Sequence, residues 1–253
     1  MREIAGQSVL ITGGGSGLGA GTARYFAARG ARVTICGRRK DKLAAVASSI
    51  GASCRYVVGD ITQEADRQTI LDGAVDHGGG LHALINNAGN MYRGPLATLT
   101  QAKLLEVFNS NVIAAMLLTG LAVSHLAQTS GAVIFIGSVH TRRAFPGASP
   151  YAATKGAVEV LTRVLAAELG AQKIRVNCVV PGAVLTEINQ RAGLFDDETA
   201  RKRLEGMSSL HALGRIGTES EIAEAIGYLC CAEWTTGAVV DVDGGLGLGL
   251  TAG

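Results

Sequence analysis

The chain has 253 residues, of which 47 % are hydrophobic and 17 % are charged, and its formal net charge is +2. This apolar content excludes a disordered chain, and the length is compatible with one α/β domain, which we expect to span residues 1–253. The near balance of acidic and basic residues provides no general field for binding nucleic acid.

Short β-branched runs alternate along the chain with longer segments of helical periodicity. In chain order, the predicted elements are strand Ser8–Thr12, helix Leu18–Arg29, strand Arg32–Gly37, helix Asp41–Ile50, strand Arg55–Val58, helix Glu64–Val75, strand Ala83–Ile85, helix Ala102–Ala127, strand Ala132–Ile136, helix Ser149–Leu169, strand Arg175–Val180, helix Glu219–Cys230 and strand Ala238–Val242. Nearly continuous apolar strands that alternate with helices lie in a parallel sheet covered on both faces. We therefore predict an α/β fold with a Rossmann-type doubly wound sheet of about seven parallel strands.

One irregular segment, Glu187–Leu213, interrupts this alternation after the sixth strand and contains a short helical patch, Asp196–Glu205. Insertions of this kind are more often lids over a site than separate domains, so we expect a substrate lid here.

Membrane, secretory and metal-binding proteins are not favoured by the sequence. The longest apolar stretch, Val112–Val123, is broken by Thr119 and Gly120 and falls short of the roughly 20 residues of a membrane helix. Val9–Ile11 is too short for the apolar part of a signal peptide. Five cysteines without CxxC spacing and five scattered histidines predict free thiols and no metal site, in a cytoplasmic protein.

A glycine-rich segment lies directly between the first strand and the first helix. Glycines there permit a tight turn and let a pyrophosphate approach the backbone N–H groups at the helix N-terminus. The segment predicts a dinucleotide site at Gly13, Gly15, Ser16, Gly17, Leu18 and Gly19. The alternative is a flexible turn without a ligand.

The end of the second strand bears on the choice of cofactor. An acidic residue at this point would bond the ribose hydroxyls and repel a 2′-phosphate, but the chain has Gly37 followed by Arg38, Arg39 and Lys40. An arginine fork suits a phosphate, so we expect NADP(H) to be preferred over NAD(H). The alternative is that these residues only begin a solvated helix face.

Several short motifs follow one another in order: Thr12-Gly13-x-x-x-Gly17-x-Gly19, Asp60, Asn86-Asn87-Ala88-Gly89, Asn111, Ser138, Tyr151-x-x-x-Lys155, Pro181-Gly182, Thr186 and Asp243-Gly244-Gly245. Together they resemble the short-chain dehydrogenase/reductase family over nearly the whole chain. The resemblance implies that cofactor contacts include Asp60 and Ile61 at the adenine, Asn87, Ala88 and Gly89 along the ribose, Tyr151, Lys155, Pro181 and Gly182, and Val184 and Thr186 at the nicotinamide carboxamide. Asp60 has an alternative role as a cap of the following helix.

Tyr151 and Lys155 lie four residues apart on one face of a predicted helix. A carbonyl that accepts hydride needs a proton donor, and tyrosine has a reference pKa near 10. A lysine ammonium about 4 Å away would lower that pKa by roughly 3 units at an effective dielectric of about 20. The pair predicts an acid/base, Tyr151, assisted by the charge of Lys155; an exposed helix pair is the alternative.

Two further residues complete the predicted catalytic group. Ser138 follows the fifth strand, where its hydroxyl can donate to the substrate oxygen. The resemblance makes Asn111 the residue that holds a water feeding protons to Lys155. The alternative for Asn111 is a polar residue that bends or satisfies a helix interior.

These residues predict an NADP-dependent oxidoreductase that interconverts a small ketone and a secondary alcohol. The resemblance places Asn90–Arg93 and the loop with His140 and Phe145 around the substrate. His140 or an arginine of that loop could bind a carboxylate or polar ketone, although a solvated loop with outward charges is the favoured interpretation.

Two other functions stay open. A 3-oxoacyl thioester reductase has the same chemistry, but Ala127–Ser130 carries no positive charge with which to grip a carrier protein. A non-catalytic NADP-binding sensor on this fold typically lacks the tyrosine or the lysine. The resemblance also implies a homotetramer or homodimer.

Overall fold

The computed structural model describes residues 1–186 and 197–249 and contains one seven-stranded parallel sheet. Its strands are β1 (Ser8–Thr12), β2 (Arg32–Gly37), β3 (Cys54–Val58), β4 (Ala83–Asn86), β5 (Ala132–Ile136), β6 (Arg175–Pro181) and β7 (Val239–Val242). They pair in the order β3-β2-β1-β4-β5-β6-β7. The strand order reverses between β1 and β4, where the carboxyl ends of an open α/β sheet leave a crevice. The predicted doubly wound fold is confirmed.

Helices cover both faces of the sheet. They are α1 (Gly17–Ala27), α2 (Lys40–Ile50), α3 (Glu64–Gly78), α4 (Gln101–Phe108), α5 (Ala114–Thr129), α6 (Ser149–Leu169), α7 (Asp197–Glu205) and α8 (Glu219–Cys231). One core packs α3, α5 and α6 against the sheet, and the other packs α1, α2 and α8 against its opposite face. Each β1 residue is buried, because the strand lies in the middle of the sheet between these two cores.

The predicted helix Ala102–Ala127 was wrong in one respect, because a π-helical turn at Asn109–Ile113 separates α4 from α5. A π turn holds one more residue than an α turn, and such turns often lie at functional sites. Apolar periodicity does not reveal it, since the residues on either side keep their helical spacing. The turn buries Asn111.

The continuous helical run Gln101–Thr129 is longer than the apolar stretch that the sequence indicated. It has a mean hydropathy of 1.6 over its most apolar 18 residues, so length and composition alone would permit a membrane span. Core helices of soluble proteins pass the same test, and 44 % of this stretch is buried inside the molecule. Leu118, Ala122 and Leu126 are fully buried against the sheet, which accounts for the apolar composition of the inner face.

The predicted lid lies partly outside the described residues, since 187–196 are not among them. The short helix predicted at Asp196–Glu205 corresponds to α7. Leu204 of α7 packs with Val139, Ala183 and Leu246 in a small apolar cluster separate from the two main cores. The described part of the segment therefore packs over the loops that follow β5 and β6.

All five cysteines are free, and four of them are buried. Burial raises the pKa of the Cys36 thiol to about 12, so this side chain is a neutral, unreactive core group. Among residues 1–186 and 197–249, no group of three or more His, Cys, Asp or Glu side chains could hold one metal ion.

A buried arginine of β6 closes the carboxyl end of α8. Arg175 donates from Nη1 to the carbonyl oxygens of Leu229 and Ala232 (2.6 and 3.0 Å) and from Nη2 to that of Cys230 (2.6 Å). The last carbonyls of a helix have no partner within the helix, so this side chain supplies one.

We predict that Arg175→Met lowers the free energy of unfolding by about 3 kcal/mol, because buried carbonyls lose their charged donor. Urea denaturation followed by circular dichroism measures the change. Arg32→Met, at the exposed start of β2, is the matched control and should stay within about 0.5 kcal/mol of the parent. Equal stability of the two variants would contradict the capping role.

Candidate active site

A cleft of about 920 Å³ opens at the carboxyl edge of the sheet, where the strand order reverses. Every predicted cofactor-binding or catalytic residue lines this cleft, except Gly19 and Asn111, and so do the substrate candidates His140 and Phe145. The chain thus brings together side chains and backbone from loops that follow β1, β2, β3, β4, β5 and β6.

The glycine-rich loop after β1 forms a cradle that side chains would fill. Gly13 has a φ of +67°, and a Cβ placed on it would lie 3.0 Å from the Cα of Ala88. A Cβ on Gly19 would lie 2.5 Å from the carbonyl oxygen of Gly13, so Gly19 allows α1 to begin close against the turn rather than touching a ligand. This open backbone at a helix N-terminus fits a pyrophosphate.

The loop after β4 is bonded directly to the glycine-rich loop. The Thr12 hydroxyl accepts hydrogen bonds from the backbone N–H groups of Asn87 and Ala88, at 3.1 and 2.9 Å. The Asn87 amide in turn donates to the Thr12 carbonyl at 2.8 Å. The two loops that would hold the cofactor therefore form one rigid unit. Thr12 belongs to the recognised motif, but its cross-linking role was not predicted.

The basic residues after β2 lie at the rim of the cleft. Arg39 donates from Nη2 to the Ser16 hydroxyl at 3.0 Å, which ties this rim to the glycine-rich loop. Arg38 lies 3.8 Å from an Asp60 carboxylate oxygen, and 64 % of its side chain is exposed. Asp60 also accepts from the backbone N–H and the hydroxyl of Thr62, at 3.0 and 2.9 Å. Asp60 therefore holds the turn before α3 and lines the cleft as well.

Tyr151 and Lys155 lie one turn apart near the start of α6, and both are buried. The Ser138 side chain, which follows β5, lies beside the Tyr151 hydroxyl and lowers the pKa of the tyrosine. Lys155 donates from Nζ to the Ile136 carbonyl at 2.7 Å, and its Nζ lies 5.5 Å from the centre of the Tyr151 ring. The helix spacing and the end of β5 together bring the three predicted groups to one side of the cleft.

The electrostatics of this group differ from the sequence-based expectation. Burial raises the pKa of Tyr151, while the hydrogen bond from Ser138 and the charge of Arg93 oppose that rise. Burial also lowers the pKa of Lys155 to about 8. The expected net lowering of the tyrosine pKa by a lysine about 4 Å away is therefore wrong for this structure. Both groups are desolvated, and desolvation disfavours each charged form.

Asn111 sits in the π turn, and its side chain joins two other elements. Its Oδ1 accepts from the Asn90 backbone N–H at 2.7 Å, and its Nδ2 donates to the Asn90 carbonyl at 2.9 Å and to the Thr154 hydroxyl at 3.0 Å. Thr154 then donates to the Tyr151 carbonyl at 2.7 Å. Asn111 thus fixes the loop after β4 against α6. Thr154 carries no sequence signal for this contact, because its partner is 43 residues away.

The polar loop after β5 is not a solvated loop with outward charges, so the favoured interpretation was wrong. Arg142 is bound by Glu159 of α6 and Asp241 of β7, at 2.8 and 3.0 Å. Neither Arg142 nor Arg143 belongs to the described lining of the cleft. His140 and Phe145 do line it, and their rings lie 4.5 Å apart.

Arg93, from the loop after β4, lines the cleft on the side of His140. Its Nη2 lies 3.2 Å from Nε2 of His140. Burial lowers the pKa of His140 to about 4, and the charges of Arg93 and Lys155 add to this effect. His140 is therefore a neutral imidazole at neutral pH.

Known proteins resemble this chain along almost its full length. A family model described as enoyl-(acyl carrier protein) reductase matches residues 13–247. L-fucose dehydrogenase from Bos taurus is 37 % identical over 259 aligned residues, which cover 99 % of this chain and 94 % of that protein.

Two solved structures share the fold. A short-chain dehydrogenase/reductase of unknown function from Caenorhabditis elegans, solved with cofactor, has a TM-score of 0.91 and 28 % identity over 98 % of each chain. A 3-ketoacyl-(acyl-carrier-protein) reductase from Brucella melitensis, complexed with NADH, has a TM-score of 0.88 and 32 % identity, covering 96 % of this chain and 99 % of that one.

Proposed function

The chain belongs to the short-chain dehydrogenase/reductase family of nicotinamide-dependent oxidoreductases, and from this premise we propose that it uses NADP(H) to interconvert a small ketone and a secondary alcohol. The observation that carries the proposal is one cleft in which a glycine cradle leads to the neighbouring Ser138 and Tyr151 side chains. A dinucleotide fits the first part, and an oxygen that gains or loses a proton fits the second.

The proposed chemistry depends on proton placement at one oxygen of the substrate. The nicotinamide cofactor, when bound, supplies or accepts the hydride. Tyr151, kept neutral by burial, donates its proton to the carbonyl oxygen during reduction, and Ser138 donates a hydrogen bond to the same oxygen. In oxidation, the tyrosinate removes the alcohol proton. Lys155 provides a nearby positive charge, and Asn111 holds the surrounding loops and, as the resemblance implies, a water that feeds protons to Lys155.

The cofactor preference rests on the rim after β2. Arg38 and Arg39 present guanidinium groups beside the cleft, and Gly37 stands where an acid would bond the ribose hydroxyls. Arg39 is bonded to Ser16 of the glycine-rich loop, which supports a phosphate-binding position next to the adenosine end.

The substrate proposed is a free, small and polar carbonyl compound or alcohol. The Arg93 and His140 side chains support polarity, because both line the cleft close to Ser138 and Tyr151. A 3-oxoacyl thioester is the second candidate, supported by the structural similarity to the Brucella melitensis reductase. Turnover of a thioester mimic without turnover of simple ketones would favour the second.

We also propose a cytoplasmic homotetramer or homodimer. Large apolar side chains are exposed on the outer faces of α5 and α6: Ile113 just before α5, Met116, Leu117, Leu121, Val160 and Val164. Exposed apolar side chains that recur one helical turn apart, as they do on each of these helices, are typical of an interaction site, and a second copy of the chain would cover them. The free cysteines support a reducing compartment.

We predict that Tyr151→Phe reduces kcat by at least about 100-fold, because the proton donor is lost. NADPH binding, measured by cofactor fluorescence, should stay within about twofold of the parent. The reaction is followed as NADPH oxidation against a panel of ketones, keto acids and a 3-oxoacyl thioester mimic. Near-parental activity of the variant would refute the proposed mechanism.

We predict that Arg38→Ala raises the KM for NADPH by about tenfold to a hundredfold and leaves the KM for NADH unchanged, because a charged donor to the 2′-phosphate is removed. Arg55→Ala is the matched control, since Arg55 is exposed near the start of β3, away from the carboxyl end of the strand, and does not line the cleft. Unchanged cofactor selectivity would remove the NADP assignment.

We predict that the double variant Leu117→Glu, Val164→Glu halves or quarters the particle mass measured by light scattering after size exclusion. The two glutamates would place desolvated charges in an apolar interface. Asp72→Lys, a charge change at an exposed position of α3, should keep the parental mass. A parent protein that is already monomeric would contradict the assembly.

A further inference from the structure

A series of side-chain contacts connects Arg93 and His140, which lie outside the recognised motifs, to the Ser138 hydroxyl. Arg93 Nη2 lies 3.2 Å from His140 Nε2, and His140 Nδ1 lies 3.0 Å from Ser138 Oγ. Ser138 in turn lies beside the Tyr151 hydroxyl and lowers its pKa. The His140 ring is held between Phe145, with ring centres 4.5 Å apart, and the edge of Tyr151, with ring centres 5.1 Å apart.

Only one assignment of hydrogen-bond donors and acceptors is consistent with this series of contacts. Arginine has N–H donors and no acceptor, so His140 Nε2 must accept from Arg93. A neutral imidazole with an accepting Nε2 carries its proton on Nδ1, which therefore donates to Ser138 Oγ. The His140 backbone N–H donates to the same oxygen at 3.3 Å. Both acceptor positions of Ser138 are then occupied, which leaves its own O–H to be donated on the side of Tyr151.

We propose that Arg93 and His140 are positioning residues that fix Ser138 as a hydrogen-bond donor to the reacting oxygen. This inference rests on the proposed function, because the donor matters only if a carbonyl or alcohol oxygen reacts beside Tyr151. Without the two residues, the Ser138 hydroxyl could rotate and offer a lone pair to that oxygen. A preorganised donor needs no reorientation when negative charge develops, which is the condition for effective oxyanion stabilisation.

The same series of contacts places the positive charge of Arg93 near Tyr151. Among the residues that the structure describes, three charged or titratable groups face this tyrosine: Lys155 from its own helix, Arg93 from the loop after β4 and His140 from the loop after β5. The charge of Arg93 lowers the pKa of Tyr151 against the larger effect of burial. Removal of that charge should raise the pKa of the tyrosine, so alcohol oxidation should require a higher pH.

Four substitutions separate positioning from simple packing. His140→Phe keeps a ring against Phe145 and Tyr151 but removes both side-chain hydrogen bonds. His140→Asn keeps an N–H donor near the position of Nδ1. Arg93→Met removes the charge and the donors, whereas Arg93→Lys keeps a charge.

Steady-state kinetics of the full-length enzyme test the donor. We expect His140→Phe to lower kcat about tenfold with NADP(H) affinity unchanged. In this variant the Ser138 hydroxyl is no longer fixed in the orientation that donates a hydrogen bond to the reacting oxygen, and this bond strengthens in the transition state. His140→Asn should recover most of that loss. Parental kcat in His140→Phe, or an equal loss in both variants, would overturn the proposal, with circular dichroism and cofactor binding confirming that each variant is folded.

The pH profile of alcohol oxidation tests the charge. Arg93→Met should move the rising limb of kcat to higher pH, and Arg93→Lys should move it back towards the parental position. An unshifted limb in Arg93→Met would contradict a cation acting on Tyr151.

A measurement independent of turnover separates this proposal from the proposed function. In the protein labelled with ¹⁵N-histidine, the His140 signal, identified by its loss in His140→Asn, should show a proton on Nδ1 and none on Nε2. A proton on Nε2 would overturn the hydrogen-bond chain whatever the activity. An Nδ1–H tautomer in a protein that turns over no carbonyl compound would support the chain and count against the proposed function alone.

Discussion

The parallel pairing of β1 with β4 is the constraint on which the rest of the site depends. These strands are adjacent in the sheet, although Val9 pairs with Ala83, far along the sequence, and their ends carry the two loops that frame the cleft. Hydrogen bonds between Thr12 and Asn87 extend the pairing beyond the last strand residues, so the loops cannot move independently. Each bond contributes only about 1 kcal/mol, but together they fix the backbone N–H groups that a phosphate would meet.

Burial sets the protonation states in the site and works against charge on both central groups. It raises the pKa of Tyr151 and lowers that of Lys155 to about 8. The tyrosine is consequently a neutral acid at neutral pH, which is the form that can give a proton to a carbonyl oxygen. For Tyr151, the Ser138 hydroxyl and the charge of Arg93 offset part of the effect of desolvation on the pKa. The loops after β5 and β4 supply these two groups.

The loop after β5 keeps its shape through contacts on the side remote from the cleft. Arg142 bridges Glu159 of α6 and Asp241 of β7, and the Thr141 hydroxyl donates to Glu159. Glu159 is buried, so it requires such partners. Arg142 and its carboxylate partners therefore anchor the backbone that carries Ser138 and His140.

The sequence by itself determined the order and type of the elements, because a sheet covered on both faces imposes apolar strands and periodic helices that are legible locally. The strands β1, β2 and β5 begin and end where the pattern predicted. The glycine-rich loop and the spacing of Tyr151 and Lys155 were equally legible, since each depends on residues within one turn or one helix.

Only the tertiary structure decided the features that depend on residues distant in sequence. The π turn at Asn109–Ile113 leaves the apolar period on either side intact. The hydrogen bond from Asn111 to Thr154 joins this turn to α6. The sequence alone did not separate Arg142, which binds a buried carboxylate, from His140, which lines the cleft, because a polar run does not reveal which side chain meets which partner. Burial likewise overrode the expected effect of lysine on the tyrosine, since desolvation is a property of the packed molecule.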